Sequence, residues 1–224
     1  MPAHVYLMPG MAASPKIFNF IKLPEEDYVI HKLQWIIPET SETLQEYATS
    51  ISNEITEPDP ILIGVSFGGV LVQEIAKIIH VDKLVLISSV KSKYELPKRM
   101  NFSRKLALYN IAPVSIFKNL PALRRMAPNK WLKKKLSLYE KYLSVNDPKY
   151  LSWALEQMLC WEQEEPPQPL VHIHGDADTV FPHKYIKNCI TVPGGTHIMI
   201  ITQYLWFNKK LPDILENYSV NCVN

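Results

Sequence analysis

The stretch Ile61-Leu62-Ile63-Gly64-Val65-Ser66-Phe67-Gly68-Gly69 decides how the chain is read. A short apolar run ends in a serine with glycines two residues away on each side. Helical spacing starts at once, at Val70, Leu71, Ile75, Ile78 and Ile79. The pattern predicts strand, sharp turn, helix, with Ser66 at the apex. A turn that tight forces the apex residue towards positive φ, a strained conformation for any side chain but hydrogen. Side chains two positions before and after would collide with the turn, so Gly64 and Gly68 suit those places. The apex hydroxyl then stands above the N-terminus of the next helix, whose free N–H groups favour negative charge nearby.

Outward from this turn the chain alternates strand and helix. His4 to Met8 reads as a strand running into the small-residue loop Pro9-Gly10-Met11-Ala12-Ala13-Ser14, with a short helix after it at Ile17 to Ile21. Asp27 to Ile37 is a second strand candidate, stopped by Pro38. Helical spacing follows at Leu44, Tyr47, Ile51 and Ile55, with Thr40 or Ser41 as expected N-cap. Lys83 to Val90 is a continuous apolar run of the kind buried on both faces of a parallel sheet. Pro169 to His174 and Cys189 to Val192 supply two more strands, separated by an expected helix at about residues 183–187. A last helix is expected from about Ile198. Such alternation implies right-handed crossovers and a parallel sheet. The expected spatial order is 2-1-3-4-5-6.

Strand–turn–helix around G-x-S-x-G resembles the nucleophile elbow of the α/β-hydrolase superfamily. The resemblance covers nearly the whole chain, although the two strands that usually come first in that superfamily are missing. It implies an α/β-hydrolase fold: one domain over residues 1–224, a three-layer sandwich with a mainly parallel sheet, and a helical cap or lid inserted at about 91–150. That insertion point fits the residues. From Lys91 no convincing strand appears for sixty residues, only helical stretches such as Ser103–Asn110 and Lys130–Leu143, broken by prolines. A helix carrying Trp153, Leu155, Met158 and Leu159 returns the chain to the sheet.

A serine hydroxyl needs a base to take its proton and a third group to orient that base. His197, in the small-residue loop Pro193-Gly194-Gly195-Thr196-His197, resembles the superfamily's histidine loop. The acid is the residue three after glycine in the pattern His-Gly-x-x-Asp-x-x-x-Pro. Here that is Asp178, with Gly175 and Pro182 in register. Asp176 competes, and is read instead as a turn former that hydrogen-bonds its own backbone. The resemblance further implies an oxyanion hole made by the N–H groups of Phe67, after the nucleophile, and of Met11, in the loop after the first strand. That loop starts Pro9-Gly10, where relatives commonly have His-Gly.

The remaining residues point less sharply. His172 and His174 alternate on one strand and so share a face, but no third ligand lies near in sequence, and no metal is expected. Cys160 lacks elbow-type glycines. Three widely spaced cysteines without a CxxC pair read as reduced thiols of a cytoplasmic protein. Met1-Pro2-Ala3-His4 shows no basic segment leading into an apolar one, so no signal peptide is expected. The net charge of +2 hides a split: residues 91–142 hold fourteen Lys or Arg and only two acids, Glu95 and Glu140. Three readings fit that segment: a solvated cap, a field attracting an anionic substrate such as an acyl thioester of a phosphate-bearing carrier, or peripheral contact with anionic membrane. The membrane reading rests on Trp131, Leu132, Leu136, Leu138 and Tyr139 interleaved with lysines. Nucleic acid is not expected as a partner, because the acidic remainder would repel phosphates.

Together these features imply a serine hydrolase acting on an ester or thioester of a small to medium apolar acyl group, with no cofactor. Two alternatives keep the same constellation: a lyase or elimination enzyme on this fold, and a hydrolase-like receptor that binds a small ligand without turnover. Oligomeric state is not legible.

Overall fold

The computed structural model describes residues 1–105, 124–126, 128–129, 133, 137, 140–143 and 145–217. Six strands form one parallel sheet: β1 (Ala3–Met8), β2 (Tyr28–Lys32), β3 (Ile61–Val65), β4 (Lys83–Ile87), β5 (Leu170–Gly175) and β6 (Ile190–Val192). Their order is β2-β1-β3-β4-β5-β6, the order expected. Every pairing is parallel, with Leu7 opposite Ile63, Ile63 opposite Val85 and Val85 opposite Val171.

Period two along each strand divides the core into two layers. Tyr6, Met8, Leu62, Leu84 and Leu86 face one way, onto Leu44, Tyr47 and Ile51 of α1 (Leu44–Ser52) and Val70, Leu71 and Ile75 of α2 (Phe67–Ile75). Val5, Leu7, Ile61, Ile63, Val85, Ile87 and Ile173 face the other way. There they meet Ile17 and Phe18 of a short 3-10 helix and Phe207, Leu211 and Ile214 of the C-terminal helix. Strands buried on both faces carry apolar residues on both, which is why Ile61–Ile63 and Leu84–Ile87 read as unbroken apolar runs in the sequence.

Several boundaries differ from those expected. Strand β2 stops at Lys32, not Ile37. After the last ladder bond, from Leu33 N–H to Leu7 O (3.0 Å), the chain turns so that Trp35 enters the core. The Tyr47 hydroxyl takes over both Ile36 backbone groups, at 2.9 Å each. Helix α1 is capped by Thr43, not Thr40 or Ser41. Thr43 and Glu46 form a reciprocal capping box, which satisfies two N-terminal donors at once. The helix expected at residues 183–187 is a single 3-10 turn, His183–Tyr185.

Within the expected insertion, α3 spans Lys98–Lys105, starting five residues before the predicted Ser103. It begins directly after Pro97, which cannot continue a preceding element but is tolerated at a helix start. Most of Ser103–Asn110 and Lys130–Leu143 lies outside the described residues, including Trp131, Leu132, Leu136, Leu138 and Tyr139. The return helix α4 spans Pro148–Cys160, with Asp147 as N-cap accepting from the N–H groups of Lys149 and Tyr150. The final helical pattern is two helices, α5 (Met199–Thr202) and α6 (Tyr204–Asn217). Among the described residues no helix is long and apolar enough to cross a membrane.

Candidate active site

All the strands are parallel, so their carboxyl ends share one edge of the sheet, and the turns leaving that edge carry Met11, Ser66, Asp178 and His197. Ser66 leaves β3 with φ 53° and ψ −123°. The strain is held on three sides: Ser66 N–H donates to Ile87 O (3.0 Å), Ser66 O accepts from Gly69 N–H (2.9 Å), and the same oxygen accepts from the Ser89 hydroxyl (2.6 Å). A Cβ on Gly64 would drive into the Gly68 carbonyl and lie 2.5 Å from Gly69 Cα, so the strand and helix can cross this closely only without a side chain there. A Cβ on Gly10 would lie 3.3 Å from Ser66 Cβ, so the neighbouring loop also keeps clear of the serine.

The loops after β5 and β6 are fastened to each other. Ala177 N–H donates to Gly195 O (3.0 Å), and Gly194 N–H donates to the Asp176 carboxylate (2.7 Å). Gly175 and Gly195 pack backbone to backbone, at a separation that any side chain on Gly175 would break. Asp176 thus braces the histidine loop; it does not bond its own backbone, as the sequence suggested. Asp178 is buried, at 4% exposure. Its Oδ1 accepts from the N–H groups of Val180 (2.7 Å) and Phe181 (3.0 Å), leaving Oδ2 aimed at His197.

The three residues separated in sequence meet in one chain of hydrogen bonds. His197 Nδ1 lies 2.9 Å from Asp178 Oδ2, and His197 Nε2 lies 2.9 Å from Ser66 Oγ. In the tautomer this geometry selects, Nδ1–H donates to the carboxylate and Nε2 accepts from the serine hydroxyl. The Phe181 ring and the imidazole meet edge to face, with centroids 5.4 Å apart. Burial alone would raise the Asp178 carboxyl pKa. The His197 hydrogen bond and charge, with the Phe181 and Val180 N–H groups, outweigh burial and hold it below the ordinary carboxylate value. The site acid is therefore an anion at neutral pH.

Phe67 opens α2, where the first N–H groups have no intrahelical partner. Among the described residues, neither the Phe67 nor the Met11 N–H donates to a protein acceptor. Both residues, with Ser66 and His197, line a cavity of about 300 Å³. Its other walls are apolar, including Met100, Leu155, Met158, Leu159 and Ile200.

His172 and His174 do share a face of β5, with rings 5.2 Å apart. Among the described residues no group of three metal-ligating side chains stands together. His174 Nε2 lies 2.8 Å from Phe181 O and 3.6 Å from Asp178 Oδ2, behind the acid. Burial lowers its pKa, partly opposed by the Phe181 carbonyl and Asp178, so it stands there uncharged.

Three contributors were not singled out in the sequence. Ser89 fixes the elbow carbonyl; its signal was the polar pair Ser88-Ser89 ending an apolar strand at the active edge. Trp35 donates its indole N–H to Gly10 O (2.8 Å) and stacks on Phe67 at 5.1 Å. Arg99 of α3 donates to the carbonyls of Thr179 and Val180, at 2.7 Å each, and so grips the acid loop. For Trp35 and Arg99 no local pattern existed to find.

No family model matches the chain, and no curated protein does. Solved structures do. A bromoperoxidase from Bacillus anthracis is 15% identical over 97% of this chain and 93% of its own, with a TM-score of 0.69. An esterase from Exiguobacterium antarcticum is 16% identical over 96% and 92%, with a TM-score of 0.64. A thermophilic esterase from Thermogutta terrifontis is 15% identical over 96% and 90%, also at 0.64. The chain has the α/β-hydrolase fold.

Proposed function

We propose that this chain, on its α/β-hydrolase fold, hydrolyses esters or thioesters of small to medium apolar acyl groups through an acyl-enzyme on Ser66. The observation that carries the reading is the unbroken relay from Ser66 Oγ through His197 to Asp178, at 2.9 Å for each link, opening onto an apolar cavity. Ser66 Oγ attacks the acyl carbonyl while His197 Nε2 takes its proton. Asp178, anionic at neutral pH, holds the imidazole tautomer and stabilises the imidazolium that forms. The N–H groups of Phe67 and Met11 donate to the tetrahedral oxyanion; losing one such donor typically costs on the order of 10²–10³ in rate. Collapse breaks the bond to the alcohol or thiol, which leaves with the proton from His197. Water then attacks the acyl-serine by the same route, restoring the free enzyme.

The cavity supports the substrate class. A space whose walls are mostly apolar, with Ser66, Tyr142 and His197 as its polar side chains, favours a hydrocarbon acyl chain over a charged one. The esterases among its structural neighbours lend support to this reading. The test is a panel of p-nitrophenyl acetate, butyrate and octanoate, with the matching thioesters, against wild type, Ser66→Ala and His197→Ala. Turnover by wild type that falls roughly 10⁴- to 10⁶-fold in both variants is expected. Turnover that survives Ser66→Ala would place the chemistry elsewhere. Ser66 labelled by a fluorophosphonate without turnover of any ester or thioester would point to the binding or lyase readings.

A further inference from the structure

The turn after β1 contains a second strained residue. Ala12 has φ 61°, a conformation that a side-chain-bearing residue keeps only when its surroundings hold it. Both its backbone polar groups are held from the far side of the insertion. Ala12 N–H donates to the Tyr150 hydroxyl (3.1 Å), and Ala12 O accepts from Val145 N–H (3.2 Å). The neighbouring residues are tied in the same way: Ser14 N–H donates to Tyr142 O (2.7 Å), and Ala13 bridges Leu143. Tyr150 itself is fully buried in the first turn of α4, its ring 5.5 Å from Trp35. A rigid ring thus points one hydroxyl at the amide next to Met11.

We infer that Tyr150 is a positioning residue: its hydroxyl fixes the Ala12 turn so that the adjacent Met11 N–H faces the cavity beside Ser66. This rests on the reading of Met11 N–H as an oxyanion donor for chemistry at Ser66. Such a donor acts on charge that exists only in the transition state, and small misplacements cost rate while leaving substrate binding alone. A buried tyrosine hydroxyl also needs a partner for its own sake, so the test must separate alignment from mere stability.

Tyr150→Phe removes one oxygen and keeps the ring. With rates normalised to Ser66 sites titrated by a fluorophosphonate, kcat on p-nitrophenyl butyrate is expected to fall roughly 10- to 100-fold, with KM within about twofold. Affinity for an alkylboronic acid, which forms a tetrahedral adduct on Ser66, should fall by the same factor as kcat/KM. Adding Ala12→Gly should recover at least about threefold of kcat, because glycine takes this φ without being held. If Tyr150→Phe lowers the melting temperature by more than a few degrees, the comparison is made in the Ala12→Gly background, where the recovered rate is still expected. An unchanged kcat per titrated site, or a loss confined to KM, overturns the assignment while the hydrolase reading stands. Wild-type protein without Ser66-dependent turnover removes the hydrolase reading, and this assignment with it.

Discussion

Two aspartates two residues apart do different work, and only their contacts tell them apart. Asp178 sits buried with one oxygen on the Val180 and Phe181 N–H groups and the other on His197. Asp176 is exposed and holds Gly194 N–H. Asp178→Asn keeps the shape but favours the wrong imidazole tautomer, so kcat on a p-nitrophenyl ester should drop about 10⁴-fold. Asp176→Asn keeps an acceptor oxygen for Gly194, so kcat should stay within about threefold. The reverse order of effects would contradict the assignment of Asp178. At this scale the meeting of Ser66 and Asp178 through His197 was legible, because glycines and a proline at fixed offsets mark the serine and the aspartate. Trp35 and Arg99 were not: their partners lie 25 and about 80 residues away, and nothing near them in sequence reports such contacts.

Elements show the same division between local and tertiary causes. That the sheet is parallel followed from alternation of apolar runs and helical spacing, since parallel strands need crossovers. The ends of elements were harder. Asp27 to Ile37 has strand-forming residues throughout, yet β2 stops at Lys32 because Trp35 gains a buried place against Phe67 that a straight strand would deny it. The α1 cap was readable as Thr-x-x-Glu at Thr43 and Glu46, but Thr40 and Ser41 competed locally. Thr43→Ala should cost about 1 kcal/mol in denaturant unfolding and leave kcat unchanged. Gly64→Ala should be far worse. The added methyl meets backbone atoms of Gly68 and Gly69 that cannot swing aside, so a loss of about 3 kcal/mol or more, or failure to fold, is expected. A Gly64→Ala protein as stable as wild type would mean that the elbow is looser than described.

For the whole molecule, the insertion is tied to both working loops of the sheet. Arg99 reaches the acid loop, and Tyr142, Val145 and Tyr150 reach the loop after β1. Some of the charge of residues 91–142 is paired: Lys93 with Glu162 and Glu164 beyond the segment, and Lys91 with Glu95 and Arg124 with Glu140 within it.

Stability should depend on pH through the buried histidines. Burial lowers the pKa of His172 well below its ordinary value, and that of His174 less so. Below about pH 6.5 the unfolded chain takes up protons that the folded chain refuses, so stability falls with pH by up to about 1.4 kcal/mol per unit for each residue. The Asp178 contribution has its own window. Its folded pKa is depressed, so that stabilisation is complete above about pH 4 and is lost only as pH falls through the lower folded value. Denaturant unfolding from about pH 7.5 to pH 5 should show the histidine-linked decline, and His172→Leu should flatten it. A flat profile in the wild type would contradict the burial argument.

Acyl transfer to Ser66 is the step on which the account depends. Intact-protein and peptide mass spectrometry, after rapid mixing with p-nitrophenyl butyrate and acid quench, reads it directly. The account predicts a butyryl adduct on the Ser66 peptide in wild type, absent in Ser66→Ala and accumulating no faster than p-nitrophenol is released. Turnover with the adduct on Cys160, Cys189 or any other residue, or with Ser66 never modified, would contradict it.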